Sequence, residues 1–269
     1  MDPASLVGLV LVIIGVFAGS TMKGVSPMTF FSVPAAFLIV IVASLGAAMM
    51  GSHIRDVKSL GRILLKAFKP GREKDPTEAI DVIVGFAEQA RREGLLSLED
   101  KVNDVEDPFL RRGLQMAIDG VDSDTVRDTM EIEIRAMRER HKAGSKLMTS
   151  IGIYCPTFGI IGAVVGLIAT LSHLDDPSKL GHGIAAAFVA TFWGVFLANG
   201  LFLPVGNKLA RFSAEEAAYK ELVVEGVLSI QAGANPRMVN DLLRSYLPPG
   251  APESAKAESP PSNTERKSA

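Results

Sequence analysis

Four long runs of uncharged, mostly apolar residues constrain this chain more than any other feature of its sequence. They cover about residues 4–22, 31–50, 147–171 and 184–205, and none of them contains Asp, Glu, Lys, Arg or His. A helix needs roughly 20 such residues to cross about 30 Å of hydrocarbon. One run could be a buried helix of a soluble protein, but four together predict an all-α integral membrane protein with four transmembrane helices.

The basic residues predict the orientation of these spans. Most of the 28 Lys and Arg lie between the second and third runs, whereas Lys23 and Lys179 are the only ones in the two short hairpins. The basic residues nearest the membrane carry the most weight in the positive-inside rule. They are Arg55, Lys58 and Arg62 after the second run, Arg138, Arg140, Lys142 and Lys146 before the third, and Lys208 and Arg211 after the fourth. All three sets predict cytoplasmic termini and a cytoplasmic insert.

The same pattern divides the chain into five segments. We expect a transmembrane hairpin at 1–50, a cytoplasmic helical domain at 51–146, a second transmembrane hairpin at 147–206, a cytoplasmic C-terminal helix at 207–246 and a disordered tail at 247–269. The insert is predicted to be helical because Asp-Pro pairs at 75–76 and 107–108, and Asp122, are typical helix starts followed by apolar stripes at helical spacing. The tail is too polar to pack.

Several classes of function lack support in the sequence. The formal net charge of −2 gives no basis for nucleic-acid binding. The single cysteine, Cys155, excludes an internal disulfide and a cysteine metal cluster, and the four histidines have no metal-ligand spacing. No phosphate-binding glycine loop is present. We therefore expect neither an enzyme nor a bound cofactor.

The spans also lack the titratable residue that ion carriers usually place inside the bilayer. The chain is then either a membrane anchor or scaffold, or half of a channel whose carboxylate comes from a partner helix. Two G-x-x-x-G steps, Gly15–Gly19 and Gly162–Gly166, permit close helix contact. Thr191 could line a pore, although a membrane threonine taken alone more often bonds its own backbone.

Four segments of the sequence carry a family resemblance. They are CPTFGIIGAVVGLIATL at 155–171, GIAAAFVATFWGVFLANGLFLPVGNKL at 183–209, AEQARREGLLSLE at 87–99 and GANPRMVNDLL at 233–243. Together, and in this order between the spans, they resemble the MotA family of flagellar stator proteins. The resemblance covers nearly the whole chain apart from the tail.

That resemblance implies an ion-driven machine in the bacterial inner membrane. MotA-like subunits form a ring, understood to be a pentamer, around a dimer of single-span MotB-like subunits. The partner supplies the membrane Asp that takes up the ion, and the turning ring pushes on the rotor protein FliG. The division of labour would explain why these spans carry no carboxylate.

The resemblance also assigns expected roles to residues of the spans. Thr191, Ala163 and Pro156 are expected to line the ion path, and Pro156 and Pro204 to couple ion passage to a conformational change. Sodium-type relatives tend to have Thr where this chain has Ala163, so we expect the proton as the coupling ion. Trp193 stands where many relatives have Tyr.

In the insert, Arg91 and Glu99 match a charged pair proposed to engage the rotor, and Arg92 is an extra basic neighbour. Judged from the sequence alone, however, charged residues in such a pattern more often form a solvated helix face.

Two other functions compete with this interpretation. A TolQ- or ExbB-type energiser would share the ring-and-partner principle, but those relatives usually have three spans. A secondary transporter would need its own substrate site, and the lack of intramembrane charge and of inverted repeats argues against one.

Overall fold

The computed structural model of the protein describes residues 3–68, 74–172 and 174–247, and in those ranges it contains only helices, turns and loops. The all-α prediction is therefore confirmed. The α-helices are α1 Pro3–Met22, α2 Pro34–Met50, α3 Ile54–Lys58, α4 Leu60–Phe68, α5 Pro76–Glu93, α6 Glu99–Val102, α7 Pro108–Ile118, α8 Ser123–Leu171, α9 Pro177–Leu197, α10 Leu203–Gln231 and α11 Pro236–Arg244. The predicted disordered tail falls, from residue 248 onward, outside the described residues.

The chain packs as two compact units. The first comprises Met1–Glu73 and Ala136–Glu215, and the second comprises Lys74–Arg135 and Glu216–Ala269. The long helices α8 and α10 each contribute residues to both units.

The core of the first unit lies between α2, α8 and α9. It consists of small and branched apolar side chains around one indole: Ala36, Val40, Ala48, Leu147, Ile151, Cys155, Val189, Ala190, Trp193, Leu197 and Ala198. By contrast, α1 buries no residue at all, and large apolar side chains are exposed along it and along the outer faces of α2 and α8. Such a surface is suited to lipid or to other protein chains rather than to water.

Within the described part of the chain, three helical stretches are long and apolar enough to cross a membrane, by length and composition: Pro3–Met22, Ser123–Leu171 and Pro177–Gln231. The second predicted span, 31–50, corresponds to α2, which is apolar but has only 17 residues. It begins at Pro34, three residues later than the predicted start. Residues Pro27–Phe31 form a separate 3₁₀-helix, and the proline at the first helical position sets where the regular helix begins.

Helices α3 and α4 are two elements that the sequence analysis did not anticipate. They follow α2 within a few residues. One side of α4 packs in a small cluster with Met148, Val205 and Leu209, through Ala67 and its apolar neighbours. Ile63 of α4 lies over Gly144 of α8, where an added Cβ would come within 3.3 Å of its Cδ1 atom.

In the second unit, the predicted helix starts are confirmed. Asp75 and Asp107 each accept a hydrogen bond from the backbone amide two residues further on, at 2.8 and 2.9 Å. Asp122 accepts one from the amide of Thr125 at 2.9 Å. Each carboxylate satisfies an amide that the first helical turn leaves unpaired.

In the core of the second unit, Gly113 of α7 lies beside Met130 of α8 and Val227 of α10, and Ile83 of α5 lies against Gly226 of α10. Helix α11 packs against α5. The fully buried residues of this unit include Ile80, Ile83, Leu98, Val102, Leu110, Leu114, Val126, Leu222, Val227 and Leu243. This core supports the corner at which α5 ends, where Gly94 takes a positive φ of 84° that favours glycine.

Candidate functional site

Two glycines bring the backbones of α8 and α9 close together. A Cβ added at Gly194 would lie 2.6 Å from the carbonyl oxygen of Cys155 and 3.0 Å from the Cα of Gly159. A Cβ added at Gly159 would lie 3.1 Å from the carbonyl oxygen of Ala190. The two backbones therefore touch directly, as small residues permit between membrane helices.

This crossing brings Pro156 and Thr191 together. The Cα of Pro156 would lie 3.2 Å from a Cβ at Gly194, and the Cα of Thr191 would lie 3.4 Å from a Cβ at Gly159. Ala163 follows Pro156 by seven residues, about two helical turns, so it lies on the same face of α8. All three residues are partly exposed. The structure thus places Pro156 and Thr191 at one crossing, and Ala163 lies about 10 Å further along the same face of α8.

The hydroxyl of Thr191 is loosely held. It donates to the carbonyl of Ala187 at 3.4 Å. In the same spans, Thr157 and Thr170 make the equivalent backbone bonds at 2.7 Å. Because hydroxyl hydrogen bonds favour 2.7–2.8 Å, the backbone competes only weakly for the Thr191 hydroxyl, which leaves it able to bond water or a partner.

Pro204 lies outside the crossing of α8 and α9, just after an irregular turn that joins α9 to α10. The helix widens into a π turn at Ala198–Phe202, and the exposed Pro204 follows it as the second residue of α10. A proline has no amide hydrogen, and its ring clashes with the carbonyl four residues earlier, here that of Gly200. The π turn directly before Pro204 lets the helix continue through the proline.

Trp193 points away from the Pro156 crossing and into the unit's core. It is only 5% exposed, and its indole donates a hydrogen bond to the carbonyl of Phe30 at 2.7 Å. Its ring also makes edge contacts with Phe31 and Phe37. Trp193 therefore ties the 3₁₀-helix between α1 and α2 to α9. The sequence could not predict this role, because the partner carbonyl lies 163 positions away along the chain.

In the second unit, Arg91, Arg92 and Glu99 are all exposed. Arg92 forms a long ion pair of 3.9 Å with Glu88, one turn away. Gln89 holds the corner between α5 and α6. Its side-chain amide donates a hydrogen bond to the carbonyl of Ser97 at 2.8 Å and accepts one from the ammonium of Lys101 at 2.7 Å. The three charged side chains thus project from a corner whose backbone is fixed.

Leu96 lies between these charges and was not singled out by the sequence analysis. It is 73% exposed within the 3₁₀-helix Leu95–Leu98, while its neighbour Leu98 is fully buried. An exposed leucine flanked by charges suits a contact surface.

Asp107 is the centre of a polar cluster in the same unit. Lys74 lies 2.7 Å from one carboxylate oxygen, and the hydroxyl of Tyr219 donates to the other at 2.7 Å. Burial raises the pKa of Asp107, but the hydrogen bonds from Lys74, Tyr219 and the Phe109 amide, together with the Lys74 charge, outweigh burial and lower it below 3.8. Burial and the carboxylate raise the pKa of Tyr219, which therefore stays a donor.

Two further sets of ion pairs connect α8 with its neighbours in the second unit. Arg127 lies 2.7 Å from Glu225. Glu133 accepts from Arg112 at 2.5 Å and from Lys220 at 3.0 Å. Among the described residues, no group of three or more His, Cys, Asp or Glu is placed to hold a metal ion.

Comparison with known proteins gives consistent matches along the chain. A model of the MotA/TolQ/ExbB proton channel family matches residues 101–222, and a model of the motility protein A N-terminal region matches residues 6–94. The chain is 42% identical to motility protein A of Bacillus subtilis over 248 residues, or 92% of each protein.

Two solved structures are also similar. One is that of C. jejuni MotAB, at 33% identity and a TM-score of 0.88, which covers 94% of this chain and 98% of that one. The other is the flagellar MotAB stator complex from Bacillus subtilis, at 41% identity and a TM-score of 0.86, which covers 92% and 96%.

Proposed function

The chain belongs to the MotA/TolQ/ExbB proton channel family, and from that premise we propose how it works as a subunit of the ion-driven stator of the bacterial flagellar motor. The match of the motility protein A model to residues 6–94 favours the motility branch of the family over TolQ- or ExbB-type energisers. One observation carries the mechanism: the four apolar segments contain no Asp, Glu, Lys, Arg or His, although the chain matches one chain of each of two MotAB structures over more than nine-tenths of its length.

In this proposal the protein crosses the bacterial inner membrane four times. The spans are α1, α2, the apolar half of α8 and α9, and both termini and the second unit lie in the cytoplasm. At 1.5 Å per residue, the 17 residues of α2 extend about 25 Å, and the 3₁₀-helix before it lengthens the hairpin. The concentration of Lys and Arg outside the two short hairpins supports this orientation.

The carboxylate that takes up the ion comes from a partner. The two similar solved structures are complexes of an A and a B subunit, as their names state. We assign the partner as a MotB-like single-span subunit with an aspartate in its helix, surrounded by a pentameric ring of this chain. The exposed apolar surfaces of α1 and α8 are available for lipid, for ring neighbours and for that helix.

The ion path runs along the face that bears Pro156, Ala163 and Thr191. The weakly held hydroxyl of Thr191 can bond water beside the partner carboxylate. A proton needs only such a relay, whereas a sodium ion needs several oxygen ligands to replace its hydration shell. Ala163 offers a methyl group and no oxygen, which favours the proton as the coupling ion.

The same region provides the movement. The contact between α8 and α9 is made by glycine and alanine, so the helices can shift against each other without displacing large side chains. The π turn and Pro204 mark where α9 can bend relative to α10. In the second unit, the fixed corner with Arg91, Arg92 and Glu99 is the proposed contact with the rotor protein FliG.

Proton flux into vesicles tests this function. The purified chain alone should conduct no more protons than empty vesicles, whereas the chain purified with its single-span partner should conduct. Replacing the partner's membrane aspartate with asparagine should abolish that flux. Specific flux through the chain alone would reject the proposed division of labour.

The coupling ion is tested on the same vesicles. At fixed pH, replacing external sodium with potassium should leave flux unchanged if protons carry it. Flux that stops without sodium would overturn the assignment based on Ala163 and leave the partner's role untouched.

A further inference from the structure

Helices α3 and α4 carry a surface that the proposed mechanism does not use. It consists of two exposed apolar side chains and four exposed cations: Ile54, Arg55, Lys58, Arg62, Leu65 and Lys66. We call this set the basic–apolar face. Ile54 is 64% exposed and Leu65 is 69% exposed. On α4, residues 62, 65 and 66 have the spacing of one helix side.

The opposite side of α4 explains why this face points outward. Leu60, Ile63, Leu64 and Phe68 pack inward beside the buried Ala67, against Met148, Val205 and Leu209. The helix is therefore held in one rotation, and Leu65 has no place in that core. A leucine exposed on a helix that is otherwise well packed needs an apolar environment from outside the chain.

The four cations of this face lack an ion-pair partner among the described residues. Arg55, Lys58, Arg62 and Lys66 form no ion pair with any residue in the described part of the chain. Between residues 51 and 68 the sequence contains one acidic residue, Asp56. The face therefore presents a strong local positive charge.

Position and chemistry together select the occupant. The face begins four residues after the end of the apolar helix α2, so it lies where the chain leaves the hydrocarbon. Basic residues at this depth attract anionic headgroups, and apolar residues between them can enter the acyl region. Two apolar side chains separated by cations provide too little apolar area to form the central cluster of a protein interface.

We propose that the basic–apolar face binds anionic phospholipids of the cytoplasmic leaflet. The guanidinium and ammonium groups hold the phosphates, and Ile54 and Leu65 insert between the acyl chains. The proposal rests on the membrane topology given above, both for the position of the face at the membrane surface and for the choice of leaflet. Lipid binding by this face would hold the α2–α4 segment at a fixed depth in the membrane. Through that segment it would also fix the depth of the cytoplasmic end of α8.

Fluorescence quenching by brominated lipids tests the proposal. In the complex with the single-span partner, Leu65→Cys is labelled with a polarity-sensitive fluorophore; the other cysteine, Cys155, is buried. Nanodiscs contain either acyl-brominated phosphatidylglycerol or acyl-brominated phosphatidylcholine at equal mole fraction. We expect stronger quenching by phosphatidylglycerol, and this preference should disappear at high salt.

Charge variants separate this proposal from its alternatives. Arg62→Gln and Lys66→Gln, added to the labelled chain, should each lower the preference for phosphatidylglycerol by roughly fivefold. Lys23→Gln, in the short hairpin on the opposite side of the membrane, should leave it unchanged. Equal quenching by the two lipids, or a preference that survives both substitutions, would overturn the proposal.

A third readout covers protein occupants of the face. If neither lipid quenches the probe and a crosslinker at position 65 joins two copies of the chain, the face is a subunit interface and the proposal is wrong. Proton flux is measured on the same complexes. Loss of flux with an intact lipid preference would count against the proposed function and not against lipid binding.

Discussion

Gly194→Ala is the substitution for which the structure gives the sharpest expectation. The new methyl group would lie 2.6 Å from the carbonyl oxygen of Cys155, 3.0 Å from the Cα of Gly159 and 3.2 Å from the Cα of Pro156. All three are backbone atoms, so no rotamer change can relieve the contact. Ordinary contact begins near 3.4 Å, and α8 and α9 must therefore separate by about 0.8 Å at their crossing.

That separation has a cost that can be bounded. Overpacking of a close contact costs about 1–3 kcal/mol, and immovable backbone atoms place this site near the upper end. Alanine returns up to about 1 kcal/mol through its higher helix propensity. The net loss should be roughly 2 kcal/mol, or about 4–8 °C in the unfolding temperature of a chain of this size. Proton flux should fall further, because Pro156 and Thr191 move apart.

The assay compares two glycines in the same membrane unit. Gly46 lies in α2, and an alanine Cβ there would meet nothing within 4 Å in this chain. Thermal unfolding of the complex and proton flux in vesicles are measured for Gly194→Ala and Gly46→Ala. We expect the first variant to lose both stability and flux and the second to keep both. If both variants match the wild type, the direct backbone contact does not exist in the working complex and the reasoning fails.

Four further substitutions test other parts of the structure. Thr191→Val removes the hydroxyl and keeps the side chain at similar size, so swimming in soft agar should fall while complex yield and unfolding temperature stay unchanged. Normal swimming would mean that the hydroxyl only forms its hydrogen bond to the backbone. Arg91→Glu should partly reduce swimming and salt-sensitive binding to purified rotor protein, while Arg135→Glu, an exposed arginine of the same unit, should change neither. Equal loss in both would point to general charge repulsion. Asp107→Asn should reduce the free energy of unfolding at pH 7 by about 1–3 kcal/mol. Folding lowers the pKa of Asp107, so the ionised carboxylate stabilises the folded chain at neutral pH. The wild type should therefore lose its stability advantage over Asp107→Asn as pH falls through the folded pKa. A stability advantage that stays constant down to pH 2 would contradict this. Lys74→Gln should weaken stability in the same direction.

The starts of the helices in the second unit were predictable because their causes are local. An aspartate followed by a proline satisfies an orphan amide and presets the backbone within two or three residues. Asp75 and Asp107 act in this way in the structure. The apolar runs are equally local, since a stretch without charge is visible whatever it packs against. Length and composition therefore predicted the long apolar helices of the first unit, with an error of three residues at the start of α2, but not the short helices α3 and α4.

The role of each glycine was decided only by tertiary structure. Gly15 and Gly19 have the same four-residue spacing as Gly162 and Gly166, and the sequence treated the two pairs alike. In the folded chain a Cβ at Gly15 or Gly19 would meet nothing within 4 Å, whereas one at Gly162 would lie 3.0 Å from the Cβ of Ala190. Spacing fixes which residues share a helix face, but it does not fix what that face meets.

The candidate site shows the same division. Pro156, Ala163 and Thr191 were chosen through resemblance, and the sequence could not place them together, because Gly194, which creates the crossing, lies 35 residues from its partner Gly159. The outward turn of Leu65 likewise depends on how its neighbours fill a cluster built from α8 and α10. The sequence by itself determined which segments are apolar, where helices begin and on which side the charges gather, because these depend on near neighbours along the chain. The tertiary structure alone decided which backbones touch and which side chains are left exposed, because those outcomes depend on residues far apart in the sequence.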